Sequence, residues 1–136
     1  MHDYRAIFLD IDGTLTQPGH SAPPASAVAA IESARRAGRR VFLCTGRCEA
    51  MLKPLLHCAD FDGYVASSGG LVVVGSRDVF DCPMTPQEQA HVLTVLSDNG
   101  VFRTVQTRMG AYCDEGFRDF HNGCHPYRIL LSPLEQ

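Results

Sequence analysis

The chain has 136 residues, 45% hydrophobic and 20% charged, with a net charge of −3. That length fits one ordinary domain with its own core, and the charge balance excludes a protein that holds nucleic acid through a basic surface. No apolar run is long enough to cross a bilayer, and the start Met1-His2-Asp3-Tyr4-Arg5 lacks the pattern of a secretion signal. The expectation is a soluble, cytoplasmic protein with no membrane partner. Its six cysteines, at 44, 48, 58, 82, 113 and 124, are then expected as reduced thiols.

Residues 4–10, Tyr-Arg-Ala-Ile-Phe-Leu-Asp, are a short apolar run ending in a carboxylate. They predict a strand of a parallel sheet covered on both faces. The Gly-, Pro-, Thr- and Ser-rich stretch to Pro24 predicts a loop. From Ala25, the residues Val28, Ile31 and Ala34, with Ala27 and Ala30 beside them, recur at helical spacing, and Gly38 stops the helix. The basic run Arg35-Arg36-Ala37-Gly38-Arg39-Arg40 reads as its end, where cations complement the helix dipole. Arg40 to Cys44 predicts a second strand with Thr45-Gly46-Arg47 as its exit turn. A second helix is expected over about 48–58 through Met51, Leu52, Leu55 and Leu56, with Pro54 a restriction unless it lies in the first turn. His57 closes that helix favourably to its dipole, and Gly63 to Ser67 predicts a third strand.

Strand, helix, strand, helix, strand implies a right-handed parallel βαβαβ unit, a Rossmann-like α/β core. In such a unit the loops leaving the strands' C-terminal ends share one edge, where open α/β sheets bind ligands. Asp10, Asp12, Thr45 and Ser67 all fall on it. After Gly69-Gly70 the pattern changes to an antiparallel hairpin over 71–82. Thr85-Pro86-Gln87-Glu88 then has the form of a capping box with Pro at the first helical position. Val92, Leu93, Val95 and Leu96 give that helix an apolar face, expected to pack on the antiparallel unit, and Asn99-Gly100 ends it. Strands over 101–107 and 111–114 flank the turn Arg108-Met109-Gly110. The expected division is a core over 1–69 followed by an α+β segment over 70–136.

Phosphoryl transfer through a carboxylate needs a nucleophile on a fixed backbone and a group to protonate the leaving oxygen. A strand-terminal Asp10 meets the first need, and Asp12, two residues on, can be turned into the same pocket. Gly13 permits a tight turn there and Thr14 can tie it down. Thr45 and the amides around Gly46 can take phosphoryl oxygens. Two neighbouring carboxylates also favour a hard cation such as Mg²⁺.

Phe8-Leu9-Asp10-Ile11-Asp12-Gly13-Thr14-Leu15 resembles the first motif of the haloacid dehalogenase superfamily, and Val41-Phe42-Leu43-Cys44-Thr45-Gly46-Arg47 resembles its second, in the Cof-type sugar-phosphatase branch. The resemblance implies Asp10 as the nucleophile that becomes an aspartyl phosphate and Asp12 as general acid, then base for water. It implies Mg²⁺ held by Asp10 and the Asp12 carbonyl, and a phosphate site of Thr45, Gly46 and Arg47. It implies a mixed α/β cap inserted after the third core strand, matching the change near residue 70. The substrate would be a small phosphorylated metabolite.

The departures from the family concern the second half of its core. The family's lysine clamp and second acidic motif have no counterpart here: Lys53 is the chain's single lysine and reads as a solvated helix residue, and no Gly-Asp-x-x-x-Asp run occurs. The chain is therefore expected to end inside or just after the cap. The competing reading is a member without turnover, holding phosphate or metal weakly or serving as an assembly subunit. Ser68 stands where relatives often carry Asn. Cys113, His121, Cys124 and His125 match no common zinc module and read as buried thiols and polar histidines; Cys44 reads as a core residue; Arg103, Arg108 and Arg118 read as solvated charges. With half of a core, the strand 6–9 becomes an apolar sheet edge open to homo-oligomerisation, unless the tail 122–136 covers it.

Overall fold

Ala6–Leu9 (β1) lies parallel to Arg40–Cys44 (β2), which lies parallel to Gly63–Ala66 (β3), with Ala25–Arg36 (α1) and Glu49–Leu56 (α2) as the two crossovers. This computed structural model describes residues 4–17, 20, 22–100, 103–113 and 131–133, the last three for their backbone. The βαβαβ unit read from the sequence is thus present, and with it the shared strand-end edge. No described helix is long and apolar enough to cross a membrane.

The central strand is β2. Val41, Phe42 and Leu43 are buried in succession, as a strand covered on both faces must be. Val41 and Leu43 join Ile11, Ile31, Leu52, Leu55, Tyr64 and Ala66 in one core. Strand β1 departs from the same expectation: Ile7 and Leu9 pack on the core, but Phe8 is 60% exposed. Its ring stacks on Phe42 with centroids 5.1 Å apart, so only one face of β1 is covered. Gly38, in a left-handed conformation with φ 79°, ends α1. Pro54 sits inside α2 rather than in its first turn, and α2 runs only eight residues, because proline leaves the carbonyl four residues back without its helical donor.

Leu71–Val74 (β4) and Arg77–Asp81 (β5) form the expected hairpin around Gly75. Strand β4 pairs antiparallel with β3, giving one five-stranded sheet in the order β1-β2-β3-β4-β5. The change of pattern at residue 70 is therefore a reversal of strand direction, and the sheet continues to Asp81. Pro86–Asp98 (α3) carries the full capping box, with the Thr85 side chain and the Glu88 backbone and side chain bonded reciprocally. Its apolar face packs only in part: none of its residues is buried, Val92 and Val95 are exposed, and Leu93 and Leu96 are half-buried. The periodicity specifies a helix and leaves its partner open.

A second sheet holds Thr104–Gln106 (β6), Ala111–Cys113 (β7) and Leu131–Pro133 (β8), in the order β6-β7-β8. Ala111 and Cys113 are buried with Cys48, against Ala50 and Met51, so this sheet docks on the start of α2. Residues 131–133 pair with β7 and not with β1, which is at the edge of its sheet among the described strands. Arg118, His121, Cys124 and His125 lie outside the described residues.

Candidate active site

The loop after β1 alternates anchors and exposed groups. Ile11, Leu15 and Thr16 are almost fully buried, while Asp10, Asp12, Gly13 and Thr14 face solvent. The backbone folds back on itself: the amides of Leu15 and Thr16 donate to the Ile11 carbonyl at 3.0 and 2.8 Å, and Gly13 donates to the Thr16 carbonyl at 2.9 Å. Gly13 adopts φ 82°, a conformation that costs glycine little and other residues more. The Thr14 hydroxyl donates to Asp10 Oδ2 at 3.1 Å, the tether anticipated from its place in the motif.

At the end of β2, Thr45 is buried and its amide donates to the Val65 carbonyl at 2.9 Å. Its Oγ1 accepts the Arg47 amide at 3.1 Å, which aims the hydroxyl proton elsewhere. Arg47 has a partner that sequence reasoning missed. Its guanidinium reaches back 35 residues to Asp12, with Nε to Oδ2 at 3.0 Å and Nη2 to Oδ1 at 2.6 Å. The Arg47 side chain is 9% exposed and that of Asp12 42%, so a buried fork holds a half-open carboxylate. Ser67 and Ser68 complete the edge. The Ser67 amide donates to the Arg47 carbonyl at 2.8 Å and the Ser68 amide to the Thr45 carbonyl at 3.2 Å.

The edge thus gathers Asp10, Asp12, Thr45, Gly46 and Arg47 from two strand ends. Among the described residues, no group of three or more His, Cys, Asp or Glu is placed to hold a metal. The donors present are hard oxygens from Asp10 and Asp12. They suit Mg²⁺, an ion that is bound through one or two carboxylates and keeps several waters. Lys53 is exposed on α2, and Cys44, read from the sequence as a core residue, is exposed as well.

Beside this edge, Arg108 is not the solvated charge expected of it. It donates to Glu49 at 2.6 and 3.1 Å and to Asp78 at 2.5 and 3.2 Å, while Tyr64 donates to Glu49 Oε1 at 2.5 Å. The Arg108 hydrogen bonds hold Glu49 and Asp78 below the usual carboxylate range. Burial, then the Glu49 bond, pushes the Tyr64 hydroxyl up to about 12. Joining residues 49, 64, 78 and 108, the cluster had no local sequence signal.

The parallel strands and their shared edge place the chain among α/β proteins of the Rossmann-like class. Within that class, the haloacid dehalogenase-like hydrolase family matches residues 7–128, and the chain belongs to it. Over 98 residues it is 28% identical to YkrA of Bacillus subtilis, named as a candidate phosphatase; the match covers 72% of this chain and 37% of that protein. The sugar phosphatase BT4131, of subclass IIB in the same superfamily, superposes with a TM-score of 0.71 at 26% identity, over 87% of this chain and 46% of its own. BT1666 of Bacteroides thetaiotaomicron, from the phosphatases of that superfamily, superposes with a TM-score of 0.80 at 16% identity, over 98% of this chain and 50% of its own. This last likeness is one of fold. The chain therefore spans about half the length of these solved structures and 37% of YkrA.

Proposed function

We propose that this chain carries the nucleophile half of a Mg²⁺-dependent phosphohydrolase acting on a small phosphomonoester, a phosphorylated metabolite of the sugar-phosphate kind. The observation that carries the reading is the exposure of Asp10 and Asp12 on either side of the buried Ile11, at the edge where Thr45 ends the next strand. In the reaction, an Asp10 carboxylate oxygen attacks phosphorus and the bond to the leaving alcohol oxygen breaks. Asp12 gives that oxygen its proton. Asp12 then takes a proton from water, whose oxygen attacks the aspartyl phosphate and releases inorganic phosphate and the free Asp10 carboxylate. The Thr45 hydroxyl and the Gly46 amide take the phosphoryl oxygens. Arg47 acts on the reaction through Asp12: one of its two bonds must open for that carboxylate to reach a substrate oxygen. Mg²⁺, held by Asp10 and Asp12, would supply charge stabilisation for the phosphoryl group when bound. The segment after residue 70 would serve as a cap piece, a reading supported by the hydrogen bond from Arg108 to Glu49. The five described cysteines are free thiols, which supports a reducing, cytoplasmic setting.

The test is phosphate release from a panel of small phosphomonoesters with Mg²⁺, read against Asp10→Asn. Loss of one positive clamp on the phosphoryl group lowers rates on the order of 10²–10³-fold by analogy with a lost oxyanion donor. The 136 residues alone should therefore turn over far below an ordinary enzyme and lose what remains in Asp10→Asn. A rate indifferent to Asp10→Asn overturns the reading.

A further inference from the structure

The hairpin from β3 to β4 is closed by four residues, Ser67 to Gly70, since Ala66 pairs with Leu71. Three successive positions there have positive φ: Ser67 at 50°, Ser68 at 54° and Gly69 at 101°. Glycine, asparagine or aspartate would satisfy the first two at less cost, because a Cβ in the left-handed region meets the following carbonyl. These serines are the only non-glycine residues of positive φ among the described residues. Strain of this kind persists where surrounding contacts over-determine it, and it clusters at functional sites. Here the over-determination is visible: the Ser67 and Ser68 amides are bonded to the Arg47 and Thr45 carbonyls at 2.8 and 3.2 Å, so the strained turn is stitched to the exit turn of β2.

What the conformation gains is the place of one hydroxyl. Ser68 is exposed, and its Oγ lies 3.3 Å from where a Cβ on Gly46 would be. The hydroxyl therefore lies over the one residue of the Thr45-Gly46-Arg47 turn that has no side chain. A turn made for stability would carry glycine or asparagine at 68; this one carries a hydroxyl within reach of the turn.

We infer that Ser68 Oγ is a direct hydrogen-bonding contact to the phosphate ester held at the Thr45–Gly46 turn, and that the strained backbone of Ser67 and Ser68 exists to place it. The inference rests on the phosphate-site reading above, and the experiment separates the two. The probe is inorganic phosphate titrated into the 136-residue chain in the presence of Mg²⁺, followed by ³¹P NMR, with thermal unfolding of every variant. Ser68→Gly removes the hydroxyl and relieves the strain. It should raise Tm by about 3 °C while weakening phosphate binding about tenfold, the loss of one hydrogen bond to a charged group. Ser67→Gly relieves the neighbouring strain and keeps the Ser68 hydroxyl, so it should raise Tm and leave binding unchanged. Thr45→Val should weaken binding at least as much as Ser68→Gly. Weaker binding in a Ser68→Gly chain that is more stable than the parent cannot come from a damaged fold. If Thr45→Val loses binding and Ser68→Gly does not, Ser68 is only a turn residue and the inference fails alone. If the parent does not bind phosphate, or Thr45→Val binds as the parent does, the phosphate-site reading fails and takes the inference with it.

Discussion

Replacing Asp12 by alanine takes both carboxylate acceptors from the Arg47 guanidinium, which reaches them at 2.6 and 3.0 Å. Each charge-assisted bond contributes about 1.5–3 kcal/mol when well shielded. The Asp12 side chain is 42% exposed and that of Arg47 only 9%, so water competes for the carboxylate and much less for the guanidinium. Halving the pair for that competition leaves a cost of about 2 kcal/mol for Asp12→Ala, or a fall in Tm of about 6 °C in a chain of this size. Arg47→Met keeps most of the buried stem and frees a carboxylate that solvent can reach, so it should cost about 1 kcal/mol. The asymmetry is the useful part: the loss should be larger when the exposed partner is removed than when the buried one is. Urea unfolding of both single variants and the double variant gives the coupling energy, expected near 1 kcal/mol for residues in contact. Additivity within about 0.3 kcal/mol, or a larger loss for Arg47→Met than for Asp12→Ala, would refute the pairing and with it the role of Arg47 in holding Asp12.

Three other perturbations address other parts of the molecule. Glu49 and Asp78 are held below their ordinary values of 4.5 and 3.8 by Arg108; carboxylates so depressed contribute stability above those values and lose it as the pH falls through their folded-state ones. The drop in Tm between pH 7 and pH 3 should accordingly be smaller in Arg108→Gln than in the parent, and an equal drop would show that the cluster contributes nothing. At Gly63, a Cβ would collide with the Val73 carbonyl oxygen and lie 3.0 Å from Val74 Cα, both backbone atoms of the neighbouring strand; Gly63→Ala should cost about 3 kcal/mol or more by chemical denaturation, and a loss under 1 kcal/mol would mean that β3 and β4 are not paired in this register. With β1 at the sheet edge and Phe8 60% exposed on it, the chain should self-associate at micromolar concentration by light scattering, and Phe8→Lys should reduce this; a monodisperse parent would refute it.

The parts of the fold legible in the sequence were those decided by nearby residues. The run Val41-Phe42-Leu43 needs no distant information to read as a strand buried on both faces, and Thr85 with Glu88 specifies a helix start within four residues. Asp10 and Asp12 were legible for the same reason: the alternation with Ile11 puts both carboxylates on the open side of a loop whose anchors come next at Leu15 and Thr16. Partners were not legible. The apolar residues of β4 show that it is a strand but not that it pairs with β3, and the face of α3 does not say that it stays only half covered.

The site divides along the same line. The placement of residues at fixed spacing on one edge could be read directly, whereas geometry set across 35 residues, as between Asp12 and Arg47, or across 59, as between Glu49 and Arg108, could not. An arginine after Thr45-Gly46 suggests an anion ligand when the neighbour considered is a phosphate. The fold supplies a carboxylate first, because parallel strands place the residues just past β1 and β2 side by side at one edge. On the function proposed above, Arg47 would reach phosphate chemistry through Asp12, so a conservative exchange such as Arg47→Lys, which lacks the fork for two carboxylate oxygens, should disturb proton transfer more than phosphate binding.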